Sequence, residues 1–235
     1  MQHVISVSNM RESDASTISG GVPSLELMLR AAEGIRASYH FDGRTAVVVG
    51  SGNNGGDGFA LSMLLLDEGK NVDVITVTDH YSEDSTYYMN EALKKGLKII
   101  PFDEGSLVGY DTIVDCLLGT GFKGDVKGLY RDAIIAINRS GSYIISADIN
   151  SGMNGDSGEA GLAVKSDLTV VIGYLKIGIL KARKSEYIKK FVCTDIGITL
   201  LKEEDLLLTS NEWHTMGFPD EKDEVEYQGR RYFRE

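Results

Sequence analysis

The chain has 235 residues, 42% hydrophobic and 25% charged, a balance that suits a globular protein with one substantial core. A formal net charge of −11 argues against nonspecific nucleic-acid binding, which relies on Lys and Arg neutralising phosphates. The only two cysteines, Cys116 and Cys193, sit in apolar, strand-like runs and read as reduced core residues rather than a disulfide. No apolar run reaches transmembrane length, and Met1 to Ser6 lacks the basic-then-apolar pattern of a secretory leader, so cytoplasm is the expected compartment.

In chain order, Ser8 is placed to cap a helix over about 9–17, and Gly20-Gly21 breaks it. Pro23 fits the first turn of a second helix, whose apolar face is Leu25, Leu27, Met28, Leu29, Ala32 and Ile35. A first strand follows over 45–49, then the glycine-rich stretch 50–58, then the apolar run 59–66, long enough for a buried helix. A strand is expected at 72–77, a turn or cap at Asp79, and a helix over 82–95 ended by Gly96. Further strands read at 99–100, 112–118, 143–149, 168–172 and 190–196, with a helix over 129–139 stopped by Gly141. Strands alternating with helices indicate an α/β fold, a mostly parallel sheet with helices on both faces. The two N-terminal helices pack on that unit as an extension, or serve a dimer contact. After Gly197 the charge runs Lys202-Glu203-Glu204-Asp205 and Asp220-Glu221-Lys222-Asp223-Glu224 predict a tail over 199–235, partly ordered at most, with Trp213 anchoring it on the body or on a neighbouring subunit.

The chemistry gathers at strand ends. Val47-Val48-Val49-Gly50-Ser51-Gly52-Asn53-Asn54-Gly55-Gly56-Asp57-Gly58 is strand, glycine-rich turn and helix start, a geometry that offers backbone N–H groups and a helix dipole to an anion. Its Gly50-x-Gly52-x-x-Gly55 matches the dinucleotide fingerprint only superficially. Asn53, Asn54 and Asp57 add amides and a carboxylate, which suit a sugar hydroxyl, a polar ring or a metal ion; the bland alternative is that they cap the helix and shape the turn. Asp115 is a carboxylate inside an apolar run and has to be paired, hydrogen-bonded or bound to a cation. With Asn54 and Ser151 it could form an oxygen cage of low charge, suited to a monovalent ion at least as well as to Mg²⁺ or Ca²⁺; alternatively it caps loop amides. Gly119-Thr120-Gly121-Phe122-Lys123-Gly124-Asp125 is a second loop, with Thr120 and Lys123 available to a phosphate, or a mobile surface turn. Asp148 is the best candidate acid or base, its alternative being an Asx turn into Asn150-Ser151-Gly152. The histidines show no ligand spacing, and no Ser-His-Asp set is visible.

Together, Asn53-Asn54-Gly55-Gly56-Asp57-Gly58, Val114-Asp115-Cys116-Leu117-Leu118-Gly119-Thr120-Gly121, Asp148-Ile149-Asn150-Ser151-Gly152 and Asp195-Ile196-Gly197-Ile198 resemble, in order, the motifs of the NAD(P)H-hydrate epimerases, the YjeF N-terminal domain family. The resemblance covers roughly 4–198 and implies a Rossmann-like three-layer αβα fold, often dimeric. It implies interconversion of the R and S epimers of hydrated NADH and NADPH (NADHX and NADPHX) at C6 of the nicotinamide ring, in cofactor repair. A separate ADP- or ATP-dependent dehydratase would then restore the cofactor. By the same resemblance Asn53 to Asp57, Gly119 to Asp125 and Asp148 bind substrate, and Asn54, Asp115 and Ser151 bind one K⁺ per subunit. Asp148 is expected to serve as acid and base, with Asp57 as helper. Two departures stand out: Asn150 replaces a rigidifying proline, which puts the stiffness of the Asp148–Ser151 loop in doubt, and Thr199 replaces another. Relatives that act as non-catalytic interaction modules supply the alternative function. An ordinary nicotinamide dehydrogenase is disfavoured, since no second domain is visible to form its substrate pocket.

Overall fold

The protein is described over residues 1–235 by a computed structural model. Its elements are β1 (Gln2–Ile5), α1 (Val7–Ser19), α2 (Ser24–Ser38), β2 (Arg44–Val49), α3 (Asn53–Asp67), β3 (Asn71–Thr76), α4 (Glu83–Lys94) and β4 (Lys98–Pro101). There follow β5 (Thr112–Cys116), α5 (Gly128–Arg139), β6 (Tyr143–Ala147), β7 (Leu168–Ile172), β8 (Leu175–Lys176), α6 (Ile177–Ala182) and β9 (Phe191–Thr194). The chain closes with β10 (Asp205–Leu208), α7 (Ser210–Thr215), β11 (Glu224–Tyr227) and β12 (Arg230–Arg234).

Seven strands form an all-parallel sheet in the order β4-β3-β2-β5-β6-β7-β9. Alternation along β2 sets the layers. Val47 and Val49 join the core under α2, α3 and α4, while Ala46 and Val48 join the core under α5. The strand order reverses between β2 and β5, so a crevice opens beyond their carboxyl ends. Glycines let the walls of that crevice meet. A Cβ on Gly50 would lie 2.0 Å from the Leu117 carbonyl, and one on Gly58 within 3.0 Å of Val47, Val49 and Cys116.

The N-terminal cap differs from expectation. Ser6, not Ser8, caps α1 by accepting from the Asn9 N–H at 3.2 Å, and Asp156 accepts from the Val7 N–H at 2.7 Å. Ser8 instead donates to Glu12.

The expectation of a tail ordered only in part is overturned. Residues after Gly197 supply β10, β11 and β12 to a second, five-stranded sheet in the order β11-β12-β10-β1-β8. The charge runs that read as solvated find partners: Glu204 accepts from the Ser6 hydroxyl at 3.0 Å, Glu203 pairs with Arg230 at 2.6 Å, Asp205 with Arg231 at 2.5 Å and Asp223 with Lys184 at 2.6 Å. Leu207 and Phe233 are buried in one core with Val4, Leu175 and α6, which joins the second sheet to the first. Trp213 is buried with Leu206 and Leu208, and its indole N–H donates to the Pro219 carbonyl at 3.1 Å. It thus anchors the segment on itself, beside Phe218 and Tyr232. Positive φ at Gln228 and Gly229 turns β11 into β12 as a two-residue hairpin. No helix is long and apolar enough to cross a membrane.

Candidate active site

A cavity of about 680 Å³ lies at the switch point, between the loops that leave β2, β5 and β6 and the faces of α1 and α2. Asn53, Asn54 and Asp57 line it from α3. The helix begins at Asn53 behind Gly52, with no side-chain cap, so the capping alternative for these three residues fails. Asp57 lies a full turn inside the helix, and its carboxyl makes no hydrogen bond within the chain. Burial pushes its carboxyl pKa well above the ordinary 3.8, helped by repulsion from Asp148 and then Asp14, against the pull of Lys176. Burial thus favours the protonated form of this cavity-facing carboxyl.

Asp148 follows β6 in the left-handed region, with φ at 65°, a strained conformation for a residue with a Cβ. Its backbone N–H is held by the Val170 carbonyl at 2.8 Å. Its Oδ1 is paired with Lys176, which is 1% exposed and whose Nζ also donates to the Ile172 carbonyl at 2.5 Å. Lys176 reaches this point because the chain leaves β7 at Gly173 and crosses at once into β8. On the other wall α1 presents Arg11 and, one turn on, Asp14. Burial raises the Asp14 carboxyl, opposed by the Lys176 charge. Sequence reasoning passed over Arg11, Asp14 and Lys176.

Asp115 is wholly buried below the cavity floor. Its Oδ1 accepts from the Leu117 N–H at 3.2 Å and the Ser151 hydroxyl at 2.5 Å; its Oδ2 accepts from the Ser146 hydroxyl and the Ser151 N–H, both at 2.9 Å. Burial raises its pKa although these hydrogen bonds pull it down. Ser151 in turn accepts from the Leu118 N–H at 2.9 Å, so it ties Asp115 to the start of the 117–125 loop. Asn54 abuts that loop at Gly119, whose Cβ position is 3.3 Å from Asn54 Cβ. The Asn54 side chain is buried, yet neither its Oδ1 nor its Nδ2 has a hydrogen-bond partner. Orphaned buried amides are rare in folded proteins and point to a bound group.

The sequence profile described as "YjeF-related protein N-terminus" matches residues 24–178. The chain belongs to this family. A relative named NAD(P)H-hydrate epimerase from Lentilactobacillus buchneri is 36% identical over 209 residues, covering 84% of this chain and 96% of that one. Another of that name from Anaerococcus prevotii is 36% identical over 190 residues, covering 75% and 86%. A bifunctional NAD(P)H-hydrate repair enzyme from Coxiella burnetii is 34% identical, and this chain spans only 40% of its length. The crystal structure of yeast ynu0 shares the fold at a TM-score of 0.71 and 19% identity, covering 81% of this chain and 86% of that one.

Within this YjeF-family site the expected residues separate into layers. Asn53, Asn54, Asp57, Gly119, Thr120, Gly121, Phe122, Lys123 and Asp148 line the cavity. Gly55 and Gly56 lie beneath it: a Cβ on Gly55 would be 2.1 Å from the Gly50 carbonyl, and one on Gly56 2.5 Å from Met28 Sδ. Gly124 and Asp125 are exposed and lie outside the cavity lining. The doubt raised by Asn150 is answered by its side chain, which is completely buried. Its Nδ2 reaches the Val164 carbonyl, the Ser166 hydroxyl and the Tyr187 carbonyl at 2.9, 3.0 and 2.8 Å.

Proposed function

We propose that this chain epimerises hydrated NADH and NADPH at C6 of the nicotinamide ring. The observation that carries the reading is the pairing of two different carboxyls in one cavity: Asp57, whose side chain has no hydrogen-bond or ion-pair partner and whose pKa burial raises, and Asp148, which is ion-paired to a buried lysine. This divides roles that the sequence alone placed together on Asp148.

C6 of the hydrate is a carbinolamine carbon. Asp57 gives its proton to the C6 hydroxyl, the ring nitrogen lone pair forms the C=N⁺ bond, and the C6–O bond breaks to release water. Asp148, held by Lys176, presents its second oxygen beside Gly119, where it stabilises the cationic ring. Water then adds to either face of C6, and the proton it sheds returns to the Asp57 carboxylate. Atoms and charge balance, and the acid is regenerated. General acid–base help of this kind is worth about 10²–10⁴ in rate.

The low-charge donor set fits a monovalent cation: a buried orphan amide oxygen on Asn54, one buried carboxylate on Asp115 and the Ser151 hydroxyl. Bound there, K⁺ would supply fixed positive charge beneath the 117–125 loop. The residues of that loop and Asn53 then grip the dinucleotide. A dehydratase on a separate chain would consume the S epimer.

The test is a chromatographic assay of purified protein with separated (R)-NADHX in KCl at neutral pH. Formation of (S)-NADHX well above the no-enzyme rate is expected. A rate equal to the spontaneous one would defeat the reading and favour a binding module.

A further inference from the structure

Interconversion of R and S requires proton traffic on both sides of C6. The cationic ring is planar, and the hydroxyls of the two epimers stand on opposite faces of it. A general acid or base works within about 2.6–3.2 Å of the atom it serves, so a single carboxyl on one wall reaches one face. The other face needs a second proton carrier.

α1 supplies one. Its residues Asn9, Ser13 and Thr17, each a turn apart, are bonded to the segment after β9. Asn9 donates to the Lys202 carbonyl at 2.7 Å, Ser13 accepts from the Leu201 N–H at 3.1 Å and Thr17 from the Thr199 N–H at 3.0 Å. The neighbouring stripe, Met10, Asp14 and Ile18, is thereby turned into the cavity, which Asp57 enters from α3. Asp14 is half-buried, and its carboxyl has neither a hydrogen bond nor an ion-pair partner. It acts on Asp57 as a charge, and both residues feel Lys176. Burial raises both carboxyls, but Asp57 well above its ordinary value, so Asp57 is set to hold a proton and Asp14 to accept one. The other lining carboxyls are less suited. Asp148 is tied to Lys176, and Asp84, in the first turn of α4, is not among the charges that act on Asp57. The orphaned Asn54 amide marks the cavity as a ligand site independently of its carboxyls.

We propose that Asp14 is the second catalytic carboxyl of a two-base epimerase, serving the face of C6 turned away from Asp57. The proposal rests on the epimerase reading for the identity of the reaction. Asp57 gives its proton to the hydroxyl on its own face, the C6–O bond breaks, and water leaves as the C=N⁺ bond forms. A second water adds from the α1 side. Its oxygen bonds to C6, the C=N⁺ electron pair returns to nitrogen, and its proton passes to the Asp14 carboxylate. Water in the cavity carries that proton back to Asp57 before the next turnover, and the reverse epimerisation starts from protonated Asp14.

The experiment incubates each separated epimer of NADHX with enzyme in water carrying a heavy oxygen isotope. Chromatography and mass spectrometry follow both inversion and exchange of the C6 oxygen, with no-enzyme rates subtracted. In Asp14→Asn, which keeps the shape of the side chain, inversion is expected to fall about 10²–10⁴-fold. One epimer, the one whose hydroxyl faces Asp57, still exchanges its oxygen through the cation. Asp14→Ser gives the same comparison with a smaller side chain, and Asp57→Asn is expected to reverse the choice of epimer. Equal loss of inversion and exchange in the Asp14 variants would mean that the residue only supports α1, and unchanged inversion would mean that Asp57 serves both faces; either result overturns the proposal. If wild type neither inverts nor exchanges either epimer, the epimerase reading itself falls.

Discussion

The hydroxyl of Thr169 donates to Asn150 Oδ1 at 2.7 Å, in a pocket where the Asn150 amide also reaches two carbonyls and a second hydroxyl. Where the family pattern uses a ring to stiffen the chain between Asp148 and Ser151, this chain uses a buried amide bonded to the segments before β7 and β9. Asn150→Ala strands several buried partners and is expected to cost about 2–3 kcal/mol. For a chain of this length that lowers Tm by roughly 4–12 °C. An unchanged thermal midpoint would show that the loop is stiff without it.

Asp57 sets the pH behaviour. Its carboxyl must be protonated to act, and burial raises its pKa. Activity is therefore expected to fall as pH rises through that raised value. Asp57→Asn should lower kcat by about 10²–10⁴ and remove that limb from the profile. Stability follows the same sign. The unfolded carboxyl ionises near 3.8 and the folded one later, so wild type loses stability as pH climbs between the two values. The Tm advantage of Asp57→Asn should be negligible below about pH 4, grow above it and then level off. A pH-independent difference would contradict the assignment.

Lys176 and Asp148 form an ion pair away from solvent, with side chains 1% and 13% exposed. Lys176→Met leaves a buried carboxylate alone and should cost about 3–5 kcal/mol in urea unfolding. Lys176→Met combined with Asp148→Leu should recover much of that loss while remaining inactive. A double variant as unstable as the single one would mean that packing, not charge, explains the damage.

Cation binding has a readout that needs no substrate. A bound ion at 100 times its Kd stabilises the folded chain by about 2.7 kcal/mol. Replacing a bulky organic cation with K⁺ should raise Tm, and Asn54→Ala should erase the increment. Equal midpoints in the two salts for wild type would remove the ion from the site.

The single tryptophan reports on the C-terminal segment, since Trp213 is buried there beside Leu206, Leu208, Phe218 and Tyr232. Because Leu207 and Phe233 share a core with Val4 and α6, Trp213 fluorescence and far-UV circular dichroism should give one coincident unfolding transition. Two separated transitions would show a segment that melts by itself.

The frame of the site was legible because its signals are local. β-branched runs ending in glycine marked β2, and a charge within an apolar run marked Asp115. Lys176 carries the same kind of signal, a charge between Leu175 and Ile177-Gly178-Ile179-Leu180, and could have been found by it. Arg11 and Asp14 could not, since the face a short polar helix turns inward is decided by what packs on it. The second sheet was missed because β1 is four residues long and its neighbours come from distant sequence, while the acidic runs masked Leu206-Leu207-Leu208.

β1 pairs antiparallel with β10 on one side and parallel with β8 on the other, so its strand partners come from segments about 170 and 200 residues further along the chain. The seven-stranded sheet is complete by Thr194, and it can form before the clasp does. Closing the clasp spans nearly the whole chain and carries the entropic burden of a very long loop. Since Ser6 caps α1 immediately after β1 and is held by Glu204, the start of the helix that bears Arg11 and Asp14 is tied down only once the segment around Glu204 has docked. The cavity floor can thus form before its α1 wall is fixed, which delays ligand binding until the second sheet has closed.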